Sequence, residues 1–178
     1  DVQIQRDRRP TPTPVLSHAI LEYNAARENG HADGIIITPS HNPPEDGGFK
    51  YNGTDGGPAN TTATTWIEHR ANEILEDDNR AVRLTAQVAG SDKVHEVDFH
   101  HGYIERLGEI LDMEAIRNAG VRIGVDPLGG ASLPLWAPIA ERWQLDLTVL
   151  NDALDPTFGF MHVDGDGKIR MDCSSAHA

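Results

Sequence analysis

Residues 121–150 carry the pattern that most narrows the possible folds. Val121-Arg122-Ile123-Gly124-Val125 is a short strand-like run, and 126–132 is a glycine-containing loop. Residues 135–143 then have helical spacing, and 145–150 return to a strand. Two strands joined through a helix run parallel, with a right-handed crossover. The reading is therefore α/β, with mixed or parallel sheets flanked by helices.

The remaining chain fits that class. Residues 1–9 are polar and charged without a clear period, which predicts an irregular lead-in. Thr13-Pro14 predicts a helix start, with Thr13 as N-cap and proline at the first helical position. Val15, Leu16, Ala19, Ile20 and Tyr23 follow at helical spacing, and Gly30 marks the expected stop. A strand is expected over 34–38 and a returning strand over 48–52. Asn60 or Thr61 then caps a helix reaching about residue 77, with Trp66, Ile67, Ile74 and Leu75 on its apolar side. Residues 79–97 are mixed in polarity, and a domain junction is expected in their second half. From Asp98 a new helix puts Tyr103, Leu107, Ile110 and Leu111 on one side, and 113–118 is a short helical piece. Residues 151–178 are loop-rich.

The segment between the strands at 34–38 and 48–52 concentrates functional groups. It reads Thr38-Pro39-Ser40-His41-Asn42-Pro43-Pro44, and Lys50 follows in the returning strand. Prolines fix their own φ and restrict the residue before them, so the serine is expected on a stiff loop tip. Ser40 can act as nucleophile or phosphoryl carrier. His41 and Asn42 offer donors for phosphate oxygens, and Lys50 a point charge. Serine, asparagine, proline and glycine are also ordinary turn residues, so these residues alone leave a reactive loop and a surface turn equally open.

Charge and composition remove several classes. The net charge of −13 argues against a nucleic-acid partner, whose phosphates call for a basic patch. A local lysine can still override the global field at a phosphate site. No apolar run approaches membrane-spanning length. The single Cys173 excludes an internal disulfide and a cysteine-rich zinc site, and the cytoplasm is the expected compartment. The chain begins with Asp1 rather than Met, so a preceding segment is expected.

Other motifs are weaker. Gly129-Gly130-Ala131-Ser132 lies between strand and helix but matches neither the P-loop nor the dinucleotide fingerprint, and a tight turn is expected. Asp164-Gly165-Asp166-Gly167 lacks the further ligands of a calcium loop, Lys168 standing where a third would be needed, and a turn is expected. His95, His100 and His101 are expected on a solvated face. A serine hydrolase using Ser40 is disfavoured, because Gly-x-Ser-x-Gly is absent.

Thr38-Pro39-Ser40-His41-Asn42-Pro43-Pro44 with Gly48-Phe49-Lys50-Tyr51-Asn52 resembles the phosphoserine loop of the α-D-phosphohexomutases, in particular their bacterial phosphoglucomutase branch. Thr11-Pro12-Thr13-Pro14, Gly124-Val125-Asp126-Pro127-Leu128-Gly129-Gly130 and Ile169-Arg170-Met171-Asp172-Cys173-Ser174-Ser175 follow the same family's order. The resemblance implies two partial α/β domains: the latter part of the first over 1–92 and the former part of the second over 93–178. It implies interconversion of glucose 1-phosphate and glucose 6-phosphate through phosphoserine and a bisphosphate intermediate. Ser40 is then the phosphoryl carrier and, through its phosphate, a ligand of Mg2+. Lys50 is a candidate acid or base, and His41 and Asn42 position the loop and phosphate. The cofactors implied are Mg2+, with its aspartate ligands expected past residue 178, and glucose 1,6-bisphosphate. The partners implied are a hexose phosphate and the remaining domains of a longer enzyme. On this reading the chain is a fragment expected to be inactive alone. The alternative is a non-catalytic module that binds sugar phosphate or a partner.

Overall fold

The computed structural model describes residues 1–40, 42–43, 45–84, 90–169, 171–172 and 176. His41, Pro44, residues 85–89 of the expected junction region, Arg170, Cys173-Ser174-Ser175 and residues 177–178 lie outside the described residues.

Three two-stranded sheets, five α-helices and two short 3-10 helices, Arg6–Arg8 and Leu107–Glu109, make up the described structure. The strands are β1 (Val2–Gln5), β2 (Gly34–Ile37), β3 (Phe49–Asn52), β4 (Val94–Val97), β5 (Ile123–Val125) and β6 (Leu147–Val149). The helices are α1 (Thr13–Ala25), α2 (Thr61–Glu76), α3 (Phe99–Arg106), α4 (Met113–Asn118) and α5 (Leu133–Trp143). β5 and β6 pair in parallel through α5, with Ile123 opposite Leu147, as the strand–helix–strand pattern predicts. The mixed α/β class holds.

Several local expectations shift. Residues 2–5 are not an irregular lead-in: β1 pairs in parallel with β4, Val2 opposite Val94. Four-residue alternations such as Val-Gln-Ile-Gln gain strand character only when a partner is present, and this partner lies some ninety positions away. The N-cap of α1 is Pro12 rather than Thr13, and the helix ends at Ala25, with a turn filling the distance to Gly30. Asn60 is the N-cap of α2, its side chain accepting from the Ala63 amide at 3.0 Å. Asp98 caps α3 in the same way through the His101 amide.

The core lies among helices. Val15 of α1, Ile104 of α3, Leu107, Met113, Leu135 and Ile139 form one buried cluster, flanked by Phe99, Tyr103, Trp136 and Trp143. Trp143 Nε1 donates to the Ile104 carbonyl at 3.0 Å, tying α5 to α3. Burial of each such aliphatic side chain stabilises by about 1.5–3 kcal/mol. α2 contributes nothing fully buried; Trp66 and Leu75, expected on an apolar inner side, are exposed.

His100 corrects a second expectation. It is 3% exposed rather than on a solvated face, and its Nε2 lies 3.2 Å from Thr11 Oγ1. Adjacent helical residues diverge, so one of His100 and His101 can turn inward while the other faces water. His101 and His95 are exposed. Around His100, Asp98 sits 3.7 Å from both Arg6 and Arg9, joining α3 to the segment after β1.

Candidate active site

The site is built on the antiparallel β2–β3 pair. Ile36 stands opposite Lys50 and Gly34 opposite Asn52. Residues directly opposite share a face of the ribbon, so Gly34, Ile36, Lys50 and Asn52 lie together. That face packs on α1. Asn52, 1% exposed, donates to Ser17 Oγ at 3.0 Å and to the Gly56 carbonyl at 2.9 Å. A Cβ added at Gly34 would come within 2.9 Å of both Leu16 and Ile20, which shows how closely the strand approaches the helix. The opposite face, Ile35, Ile37, Phe49 and Tyr51, is mostly exposed. Tyr51 donates its hydroxyl to Asp33 at 2.6 Å, and the accepting carboxylate holds the phenol's pKa above its ordinary value.

Beyond the strands, the Thr38 amide donates to the Gly48 carbonyl at 2.9 Å and closes the base of the loop. The Ser40 amide donates to Thr38 Oγ1 at 2.9 Å. The Asn42 amide donates to the Pro39 carbonyl at 3.1 Å, and the Asp46 amide to the Pro43 carbonyl at 2.9 Å. Pro43 is buried, whereas Ser40 and Asn42 are exposed.

Ser40 has φ of 59°. A non-glycine residue in this left-handed region costs about 1–2 kcal/mol, and such strain concentrates where a side chain must be presented in one direction. Lys50 is the side chain that meets it. Its Nζ donates to Ser40 Oγ across 3.4 Å. The lysine thus leaves the α1-facing surface of the ribbon and ends beside the serine. An exposed hydroxyl in contact with an ammonium group suits a phosphoryl acceptor, because the charge developing on the phosphoryl oxygens meets a fixed cation.

The structure therefore brings Ser40 and Lys50 together and leaves Asn42 exposed on the same loop. His41 lies outside the described residues. Among the described residues no three of His, Cys, Asp and Glu come together as a metal-holding group. They do not by themselves fit a magnesium ion.

One residue near the loop was missed by sequence reasoning. Lys168 Nζ lies 4.0 Å from Asp46 Oδ2. It belongs to a turn closed by an antiparallel bridge between Val163 and Ile169, in which the Asp164 amide donates to the Lys168 carbonyl at 2.8 Å. Asp166 Oδ1 accepts from the Lys168 amide at 3.0 Å, so Asp164-Gly165-Asp166-Gly167 is a turn, as expected. Gly129 and Gly130 also lie in a tight turn, the Gly130 amide donating to the Pro127 carbonyl at 2.9 Å. Gly129, with φ of 63°, lies against Phe160, so the segment after β6 runs over this loop before it reaches Asp46.

The fold of this chain is shared with solved phosphomutase structures. The structure of pp63/parafusin, a phosphoglucomutase from Paramecium in its open form, matches with a TM-score of 0.68 at 24% identity, over 92% of this chain and 33% of that one. The family model for phosphoglucomutase/phosphomannomutase alpha/beta/alpha domain I matches residues 1–78. Phosphoglucomutase from Komagataeibacter xylinus is 47% identical over 182 residues, covering 100% of this chain and 32% of that protein. Phosphoglucosamine mutase from Rhizobium johnstonii is 32% identical over 151 residues, covering 83% of this chain and 30% of that protein. The chain belongs to the phosphoglucomutase/phosphomannomutase family, and it spans about a third of the length of these relatives.

Proposed function

We propose that the chain supplies the phosphoserine loop of a cytoplasmic phosphoglucomutase-type enzyme that interconverts glucose 1-phosphate and glucose 6-phosphate. The carrying observation is Lys50 Nζ at 3.4 Å from the exposed Ser40 Oγ. Ser40 Oγ takes a phosphoryl group from a hexose bisphosphate. The new Ser–O–P bond forms as the sugar–O–P bond breaks, and the serine proton ends on the sugar oxygen. In the next half-cycle phosphorylated Ser40 gives its phosphoryl group to the free hydroxyl of a hexose monophosphate, the Ser–O–P bond breaking as the sugar–O–P bond forms and the hydroxyl proton leaving the sugar; the bisphosphate so formed reorients and returns its other phosphoryl group to Ser40. Lys50 neutralises charge on the transferring group, and Asn42, with His41, positions the loop. The reading gives residues 1–92 to a first domain and 93–178 to a second. A magnesium ion, if bound, would be held in part by the phosphate on Ser40 and would supply further neutralisation of charge on the transferring group. Glucose is favoured over glucosamine by the 47% identity to a phosphoglucomutase against 32% to a phosphoglucosamine mutase.

The test is incubation with glucose 1,6-bisphosphate followed by peptide mapping. A single phosphate on Ser40, absent from Ser40→Ala, is the expected result. Phosphate uptake that persists in Ser40→Ala overturns the assignment. The chain alone is expected to accept phosphate without completing turnover; steady-state conversion of glucose 1-phosphate by residues 1–178 would overturn that part.

A further inference from the structure

The serine loop is closed at its base by Thr38 and Gly48, and the amide bonds of Ser40, Asn42 and Asp46 inside it are all local. Local bonds alone do not explain why Ser40 stays at a positive φ, since each could form while the loop pivots on its base. Among the described residues, Lys168 reaches the loop from a distant part of the chain, 122 positions from Asp46 and 4.0 Å from it between charged atoms. Lys168 is itself fixed, because its carbonyl accepts from Asp164 and its amide donates to Asp166 inside the turn bounded by Val163 and Ile169. That turn follows a segment anchored on the other side: Asp155 accepts from the Thr157 and Gly159 amides, and Phe160 packs on Gly129. A segment held by these contacts therefore runs from the β5–α5 loop to the serine loop and ends in an ammonium group.

We infer that Lys168 is a positioning residue for the phosphoserine loop, latching it through Asp46 so that Ser40 is held where Lys50 can meet it. The latch is electrostatic and half-exposed at both ends, with side chains 46% and 52% exposed. Such pairs are weak and screened by salt, so the latch sets the loop's conformational freedom rather than the stability of the fold. Phosphorylation adds a negatively charged group to the same loop as Asp46, and so makes the loop's counter-charges more valuable in the phosphorylated state. This last consequence rests on Ser40 carrying phosphate; the latch itself does not.

The experiment measures rapid hydrogen exchange across residues 38–48 in the chain as it stands. Lys168→Met is expected to raise exchange at the Ser40 and Asp46 amides by about three- to ten-fold, while Lys168→Arg stays close to the unaltered chain. The charge-exchanged pair Asp46→Lys with Lys168→Asp is expected to restore slow exchange. Salt at about 1 M, where the screening length is about 3 Å, is expected to loosen the unaltered loop and leave Lys168→Met unchanged. Equal exchange in Lys168→Met and the unaltered chain overturns the latch. In parallel, the rate of Ser40 phosphorylation by glucose 1,6-bisphosphate is expected to fall about three- to ten-fold in Lys168→Met and to be retained in Lys168→Arg. If the unaltered chain takes up no phosphate on Ser40, the carrier reading fails, and the latch still stands or falls on the exchange rates.

Discussion

The helical core and the serine ribbon use the same kind of residue in opposite ways. Leu135, Ile104 and Ile139 are buried where α1, α3, α4 and α5 converge. Ile35, Ile37 and Phe49, as apolar as these, lie 66%, 88% and 64% exposed on one face of β2–β3. The ribbon keeps its place through its other face, where Gly34 approaches α1 and Asn52 bonds Ser17. Stability is thus concentrated in one region, and the chemically equipped loop hangs from the edge of the other. A loop so mounted can be altered without unfolding what supports it, a separation expected of segments that must present a reactive group.

The largest effect should come from attacking the core half of that contrast. Leu135→Ala or Ile104→Ala is expected to destabilise by about 2–5 kcal/mol, as large-to-small core substitutions do, measured by urea unfolding. The loop half should respond in rate instead. Lys50→Met removes the ammonium from Ser40 and is expected to slow Ser40 phosphorylation about 100-fold, the order found when one transition-state donor is lost. Its unfolding midpoint should stay within the range of ordinary surface substitutions, because Lys50 is exposed. A Lys50→Met chain that unfolds as readily as Leu135→Ala would erase the distinction.

Capping gives a smaller test. Asn60→Ala removes the acceptor for the Ala63 amide and should cost about 1 kcal/mol. This cap was legible because an asparagine ahead of a helical run has a local mechanism. So was the parallel β5–β6 pair, because a strand–helix–strand pattern leaves few alternatives. The features that were not legible depend on distant partners. β1 needs β4. The burial of His100 needs Thr11, since the His100-His101 pair says that the side chains diverge but not which one turns inward. Ser40 at positive φ gives no sign in the sequence, because serine is not glycine. Lys168 reads only as a missing metal ligand until the fold carries it to Asp46. Ser40 and Lys50, by contrast, lie ten residues apart across one hairpin, and that short connection made them readable together.

The junction between β1 and α3 predicts a pH response of its own. Burial, reinforced by the nearby Arg9 charge and opposed by Asp98, holds the His100 pKa below its ordinary value. As pH falls below about 6.5 the unfolded chain takes up this proton before the folded one does. The contribution of neutral His100 is therefore full above that pH and is lost as pH falls through the lower folded value. Asp98 acts in the same direction further down. Burial raises its pKa, but the His101 amide, the Gln5 side chain, Arg9 and Arg6 together outweigh burial and leave it depressed. Its contribution is lost as pH falls below the usual carboxylate range. Stability should thus decline on acidification, and His100→Gln should remove the upper part of that decline. A decline below about pH 6.5 that is identical in His100→Gln would place its origin elsewhere.

The smallest expected effect is the most discriminating for the ribbon. Ile37→Thr trades an aliphatic side chain for a β-branched polar one of similar strand preference, at a position 88% exposed. Hydrophobic burial scales with the area removed from water, and here little area is removed, so the change should stay within about 0.5 kcal/mol. The same substitution at Ile36, 7% exposed and facing α1, should cost more, because a hydroxyl would enter an apolar contact without an assured partner. The two residues are neighbours, share a backbone and differ only in the face they occupy. Equal costs at both would mean that the outer face is packed in solution, and the ribbon would then belong to the core rather than to the edge.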